Sequence, residues 1–282
     1  MDHDVEGPPT RLRTGRPDSP WEYRELIWNF TNRDLKSRFK GTALGWAWSL
    51  IGPLATIAIY SIVFSVIIRV TPPDMGNGRA GIYAVWLIAG LVTWQFIAQF
   101  LNRGMSSLLG NGALLRKVYF PSFVPVLAVG LSVGLQSLIE LGLVLIVLLA
   151  FLNVSWTWLL IPLWAALLWL CTAAISTILA IANVRWRDLA QIMQLVLQLL
   201  FFLSAVIYPI TLVPEQVGPL PARLLIELNP AAQFISVGRD LMYGLVLPSG
   251  WSVAYLVAWT AASALVARWV YRRWGQDIGE AV

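Results

Sequence analysis

The chain has 282 residues, of which 58% are hydrophobic and only 12% charged, with a formal net charge of +5. A soluble domain carries roughly 25% charged residues, so this composition excludes an ordinary water-soluble fold. A single cysteine, Cys171, and a single histidine, His3, exclude a disulfide framework within the chain, a cysteine-rich metal site and a histidine-based metal or catalytic centre.

Residues 1–20 are rich in Pro, Gly and charge and are expected to form a disordered cytoplasmic tail, with no signal peptide ahead of the first apolar run. Residues 21–42 mix aromatics with charge, the pattern of an amphipathic helix lying at a membrane interface. Tyr23, Leu26, Ile27 and Phe30 share one face at 3.6-residue spacing, whereas Leu35 and Phe39 fall nearly opposite. A break is therefore expected near Thr31–Asn32, where either side chain could cap a second short helix.

Four long runs contain no Asp, Glu, Lys or Arg: Ala43 to Ile68, Ala80 to Leu101, Leu141 to Val184 and Leu189 to Pro214. Each is long enough for a helix to cross the hydrocarbon core, which takes about 20 apolar residues. With their neighbours they divide into six spans, near 43–68, 81–101, 122–150, 156–182, 190–210 and 251–271. Turn-rich Thr71-Pro72-Pro73-Asp74 and Gly76-Asn77-Gly78 join the first two. Asn153 and Ser155 divide the third from the fourth, and Arg185-Trp186-Arg187-Asp188 is a tight charged link to the fifth. Residues 213–250 are too few for two further crossings. They fit either two short helices re-entering the outer leaflet around a Leu228-Asn229-Pro230 turn, or a plain extracytoplasmic loop.

Segments on the N-terminal side of the membrane hold sixteen of the Lys and Arg residues; the other side holds four, Arg69, Arg79, Arg223 and Arg239. Cytoplasmic loops carry the excess of positive charge, so both termini are expected in the cytoplasm. The expected fold is an all-α integral membrane protein.

No Gly-x-x-x-x-Gly-Lys-Ser/Thr occurs, so the chain does not bind nucleotide through a P-loop. Asp2-His3-Asp4 spells the Asp-x-Asp of sugar-nucleotide transferases, but within the polar tail. Glu140 is the only charge inside the third span, where an ionisable group costs several kcal/mol unless paired or hydrated. It is expected to face the bundle interior, toward Arg69 or Arg239, either as a gate residue or as an interhelical hydrogen bond. The other spans lack charge, which argues against an ion-coupled transporter and for transport driven from outside this chain. They are instead rich in aromatics, among them Tyr60, Phe64, Trp86, Trp94, Phe96, Phe201, Phe202 and Tyr208. Aromatic faces suit the apolar faces of sugars, and they equally suit helix packing. A membrane-embedded glycosyl- or phosphotransferase would need an acidic pair at the inner face. Asp34 and Asp188 are the candidates, each beside arginines.

Residues 21–54 resemble the start of ABC-2-type permeases that export polysaccharides such as O-antigen, teichoic acid or galactan. The matching elements are Arg33-Asp34-Leu35-Lys36, Arg38-Phe39-Lys40, Leu44-Gly45, Trp48 and Pro53. Further on they are Asn111 to Pro121, Arg187-Asp188-Leu189, Tyr208-Pro209, and Leu228-Asn229-Pro230 followed by Arg239. The resemblance implies an ABC-2 transmembrane domain over 43–274 and a cytoplasmic tail over 275–282. It implies a homodimeric, non-enzymatic channel in the bacterial cytoplasmic (inner) membrane, served by two separate ATPase subunits that hold ATP and Mg, with no nucleic-acid partner. It makes Asn111 to Phe120 a cytoplasmic coupling helix, with Asn111, Leu114, Leu115, Arg116, Lys117 and Tyr119 at the ATPase contact. The implied substrate is a polyprenyl-diphosphate-linked glycan, whose diphosphate would meet Arg33, Lys36, Arg38 and Lys40. The glycan path would use Tyr60, Phe64, Trp86, Trp94, Phe201 and Tyr208, and the gate Glu140, Asn229, Pro230 and Arg239. Seventeen arginines against three lysines point to a GC-rich genome, which raises galactan among the candidates. A drug or lipid exporter of the same ABC-2 type is the alternative.

Overall fold

The computed structural model describes residues 23–39, 48–112, 120–216, 219 and 221–275. Among these the regular structure is helical, without a strand. Helix α1 spans Arg24–Phe39, and α2 spans Trp48–Ser61 and runs on as a π-helical turn over Ile62–Ile67. Helices α3 (Tyr83–Gly110) and α4 (Phe123–Ala150) follow. A 3-10 turn over Trp156–Leu160 leads into α5, Ile161–Arg185. Then come α6 (Leu189–Leu203), the short α7 (Ala222–Glu227), α8 (Pro230–Arg239) and α9 (Gly250–Trp274).

Four segments are long and apolar enough to cross a membrane: Tyr83–Gly110, Phe123–Ala150, Trp156–Arg185 and Gly250–Trp274. They match the expected second, third, fourth and last spans. The first and fifth expected spans correspond to shorter apolar helices, Leu54–Ile67 and Leu189–Leu203. Fifteen residues of α6 rise only about 22 Å, less than the roughly 30 Å hydrocarbon core. Helix α3 outruns its expected span and continues to Gly110, so the charged Arg103 sits inside a helix rather than in a loop.

Helix α3 is the axis of the bundle. Its most apolar window is 78% buried, against 17% for α9, so α3 is clad in protein and α9 faces outward. It packs along α4 and α5 and also touches α2, α6 and α8. Lipid tails are as apolar as leucine, so helices associate through close backbone approach and hydrogen bonds rather than through a hydrophobic drive. The α3–α5 seam shows both. A Cβ on Gly104 would lie 1.9 Å from Ser176 Oγ, and the Asn183 amide donates to Met105 O at 3.3 Å. Helix α5 reaches α4 through Trp169 Nε1, which donates to Gly130 O at 3.1 Å.

The expected break in α1 does not occur. Thr31 Oγ1 donates back to Ile27 O at 2.8 Å and also lies 3.2 Å from Ala128 O of α4. A hydroxyl that bonds the carbonyl four residues back leaves the helix intact instead of capping a new one. The buried stripe therefore continues from Ile27 and Phe30 through Thr31 to the half-buried Asp34. It docks on α4 through Tyr23 against Phe123 and Phe30 against Phe120.

The two ends of the bundle differ in kind. One gathers α1, the start of α4 and the end of α9, where Ser122 Oγ donates to Gly275 O at 3.1 Å and Tyr271 packs on Phe123. There too Arg185, at the end of α5, lies over the Trp274 ring. The other end is tied by Asn153, whose amide donates to Met242 O and Tyr243 O and whose carbonyl accepts from Asn77 N. Thr157 Oγ1 donates to Leu241 O and Tyr243 OH to Pro73 O at that same end.

Candidate functional site

A cleft of about 360 Å³ opens between α2, α3 and α6. Tyr60, Trp94 and Phe201 form its aromatic wall, with Phe201 6.0 Å from Tyr60 and 5.7 Å from Trp94 between ring centroids. Gln95, Gln99 and Gln198 supply its polar wall, with Thr56 beside them. Gln99 Nε2 donates to Gln95 Oε1 at 3.3 Å, as residues four apart on one helix face can. The cleft thus offers flat aromatic faces and uncharged donors and acceptors side by side.

The structure brings three of the six expected path aromatics, Tyr60, Trp94 and Phe201, into this cleft. Phe64 adjoins it, 6.2 Å from Tyr60, and stacks on Tyr83 at 6.0 Å with 16° between planes. Trp86 stands apart, packed on Tyr83 and covered by a guanidinium. Tyr208 also stands apart, its hydroxyl donating to Phe202 O at 2.5 Å. The glutamines were not among the expected site residues, which in the spans were Glu140 and aromatics. The signal was present: Leu91, Gln95, Ala98 and Gln99 share one face of α3, and uncharged polar side chains inside an apolar run need a reason.

Glu140 lies behind this wall. It is buried at 4% exposure and accepts from Gln136 Nε2 at 3.0 Å. Together with Gln95 and Leu54 it borders a void of about 10 Å³, close to the space of one water. It faces the bundle interior as expected, but Arg239 turns elsewhere and Arg69 is exposed.

Arg239 and Asn229 converge on a second feature, the end of α6. The backbone leaves the helix at Ser204, and Ala205 takes φ of 49°. Bare carbonyls at membrane depth must be satisfied by protein or water. Arg239 donates to Ala205 O at 2.9 Å and to Val206 O at 2.5 Å, with its guanidinium 3.6 Å above the Trp86 ring. Tyr83 OH donates to Ile207 O at 2.6 Å. Asn229 accepts from Ala231 N to cap α8 and donates to Leu203 O and Ser204 Oγ. Pro230 occupies the first turn of α8, where its missing N–H costs nothing. Gly90 gives Arg239 room, since a Cβ there would lie 2.2 Å from Nη2.

At the α1 end, Arg33 and Lys36 border a shallow polar groove with Asn29, Asn32 and Ser37. Lys36 is exposed. Arg33 lies over the Phe30 ring and donates to Asn111 Oδ1, while the Asn111 amide donates to Ser107 O at 2.8 Å. Beside them Arg103 Nη2 bridges both carboxylate oxygens of Asp34 at 2.7 and 2.6 Å, and Ser132 Oγ donates to the same carboxylate. Asp34 is thus an anchor in a salt bridge. The side chain of Arg38 and all of Lys40, Leu114, Leu115, Arg116, Lys117 and Tyr119 lie outside the described residues. No group of acidic, His or Cys side chains able to hold a metal ion occurs among the described residues.

Residues 25–243, over three-quarters of the chain, match the family described as ABC-2 type transporter. The chain belongs to the ABC-2 transporter membrane family. It is 31% identical over 220 residues to an O-antigen export system permease protein RfbA of Klebsiella pneumoniae, covering 77% of this chain and 80% of that one. To the RfbA of Myxococcus xanthus it is 26% identical over 255 residues, covering 88% and 94%. To a polysialic acid transport protein KpsM of Escherichia coli it is 23% identical over 252 residues, covering 85% and 90%. In this ABC-2 chain the family match includes α1 through α8, so the cleft, the α1 groove and the clasped end of α6 all lie inside it.

Proposed function

We propose that the chain is the membrane-spanning permease subunit of an ABC transporter that exports a polyprenyl-diphosphate-linked polysaccharide. The observation that carries the reading is the cleft whose aromatic faces and amides suit a carbohydrate, in a chain similar over most of its length to O-antigen permeases. Pyranose and furanose rings present apolar C–H faces and rims of hydroxyls; Tyr60, Trp94 and Phe201 meet the first, Gln95, Gln99 and Gln198 the second.

In this reading the chain performs no chemistry and works as a homodimer with two ATPase subunits. The helix pair Leu54–Ile67 and Leu189–Leu203 completes a six-span subunit in the bacterial cytoplasmic membrane. The α1 end is cytoplasmic, because Arg24, Arg33, Lys36, Arg103 and the arginines ending α5 and α9 gather there. Arg33 and Lys36 attract the diphosphate, with Lys36 the freer of the two because Arg33 is engaged with Asn111. Segment 111–120 couples to the ATPase. Because Asn111 holds Arg33, movement there is passed to α1.

Deleting the gene should leave lipid-linked glycan inside the cell and strip it from the surface, with the wild-type gene restoring both. Arg116→Glu with Lys117→Glu should restore neither while ATP hydrolysis continues. Normal surface glycan after deletion would refute the reading. Normal glycan together with ATPase stimulation by small amphiphiles would instead indicate a drug or lipid exporter.

A further inference from the structure

We infer that the α2–α3–α6 cleft is built for the uncharged stretches of a polysaccharide and discriminates against polyanionic ones; this rests on the permease reading above. The question is open among the relatives, some of which are named for O-antigen and others for polysialic acid, an acidic polymer. The described lining of the cleft contains no Lys, Arg, Asp or Glu. Its polar groups are the amides of Gln95, Gln99 and Gln198 and one threonine hydroxyl. Amides and hydroxyls bond sugar hydroxyls in either direction but cannot neutralise a row of carboxylates. A carboxylate moved out of water needs a cation or several donors to offset its lost hydration.

The nearby cations are engaged elsewhere. Arg103, one helical turn along α3 from Gln99, is held by both carboxylate oxygens of Asp34, and Arg33 and Lys36 lie on α1, outside the described lining of the cleft. Arg239 is buried, covers Trp86 and turns its Nη1 and Nη2 to Ala205 O and Val206 O. Against the cleft wall stands a carboxyl, Glu140, across a one-water void from Gln95. A carboxyl there adds nothing attractive for an acidic chain. Charge recognition and chain passage are therefore separated along the molecule: cations meet the diphosphate at one end, and neutral amides with aromatic faces meet the sugars in between. An acidic glycan would be excluded by the lack of compensation as much as by any contact, a form of specificity by penalty.

The test uses the complete transporter, with its ATPase subunit, in nanodiscs, and two radiolabelled probes of equal length, maltohexaose and α2,8-linked hexasialic acid. On the wild type, maltohexaose should bind and hexasialic acid should bind about tenfold or more weakly, the scale of one uncompensated charge at a partly desolvated site. Gln198→Lys, at an exposed position of α6 in the cleft wall, should narrow that gap by about tenfold. Trp94→Phe should weaken maltohexaose, which assigns the binding to the cleft. Equal or tighter binding of hexasialic acid to the wild type would overturn the neutral preference and leave the glycan reading standing. Binding of neither probe would overturn the cleft as a glycan site altogether.

Discussion

Asp34→Ala is the most informative single change, because it tests whether α1 is strapped to the bundle or merely lies on the membrane. Asp34 accepts from Arg103 Nη2 through both oxygens, at 2.7 and 2.6 Å, and from Ser132 as well. Hydrogen bonds to charged groups contribute about 1.5–3 kcal/mol each. The two side chains are 25% and 26% exposed, so solvent screening pulls the value toward the lower end. Removal also strands Arg103, whose Nη1 is already buried without a hydrogen-bond partner among the described residues. The net loss in α1 docking is then about 2 kcal/mol, or roughly thirtyfold in the docked-to-open ratio. Hydrogen exchange by mass spectrometry on the transporter in nanodiscs reads that ratio directly. Amides of Ile27 to Asp34 should exchange about thirtyfold faster, while those in the middle of α3 keep their wild-type rates. Arg103→Ala should do the same, and the double variant should cost little more than either alone, because both remove one interaction. Unchanged protection of α1 in Asp34→Ala, or fully additive effects, would refute the strap.

Gly90→Ala should destabilise the protein by about 1–3 kcal/mol, seen as a lower unfolding midpoint, because the new methyl meets a guanidinium held by Trp86 and two carbonyls. Asn153→Ala removes three hydrogen bonds from a fully buried amide, so a loss of about 2–3 kcal/mol and faster exchange in the Tyr243 loop are expected. Asn229→Ala should cost more than the ~1 kcal/mol of an ordinary N-cap, because the same side chain also holds Leu203 O and Ser204; Asn229→Ser, which keeps the cap alone, separates the two parts in a thermal melt. Arg33→Ala should loosen Asn111 and lower export more than ATP hydrolysis, measured in the same vesicles.

The all-helical membrane fold was legible in the sequence because hydrocarbon imposes a simple condition: about 20 apolar residues per crossing, with every backbone group bonded inside the segment. The four long apolar helices coincide with the second, third, fourth and last expected spans, whereas the charge-free runs 43–68 and 189–214 hold only the shorter helices Leu54–Ile67 and Leu189–Leu203. The turn at Leu228-Asn229-Pro230 was likewise legible, since a proline disfavours helix at the residue before it; that Asn229 caps the helix that follows came from the structure. Thr31 misled for the opposite reason. Its hydroxyl can cap or back-bond, and the neighbouring Ala128 O, ninety-seven residues away, accepts from it in the unbroken helix.

The sequence by itself determined that this chain lives in a bilayer and that its long apolar segments carry almost no charge. Only the tertiary structure decided which polar side chains face one another. Period and length say that Gln95, Glu140 and Gln198 sit in apolar helices; they cannot say that two line a cleft and the third stands behind it, because that depends on how three helices rotate about α3. Arg239 makes the same point. Expected as a gate residue and a partner for Glu140, it is instead a buried clasp on the end of α6, because a helix that breaks among apolar elements leaves carbonyls that some donor must satisfy.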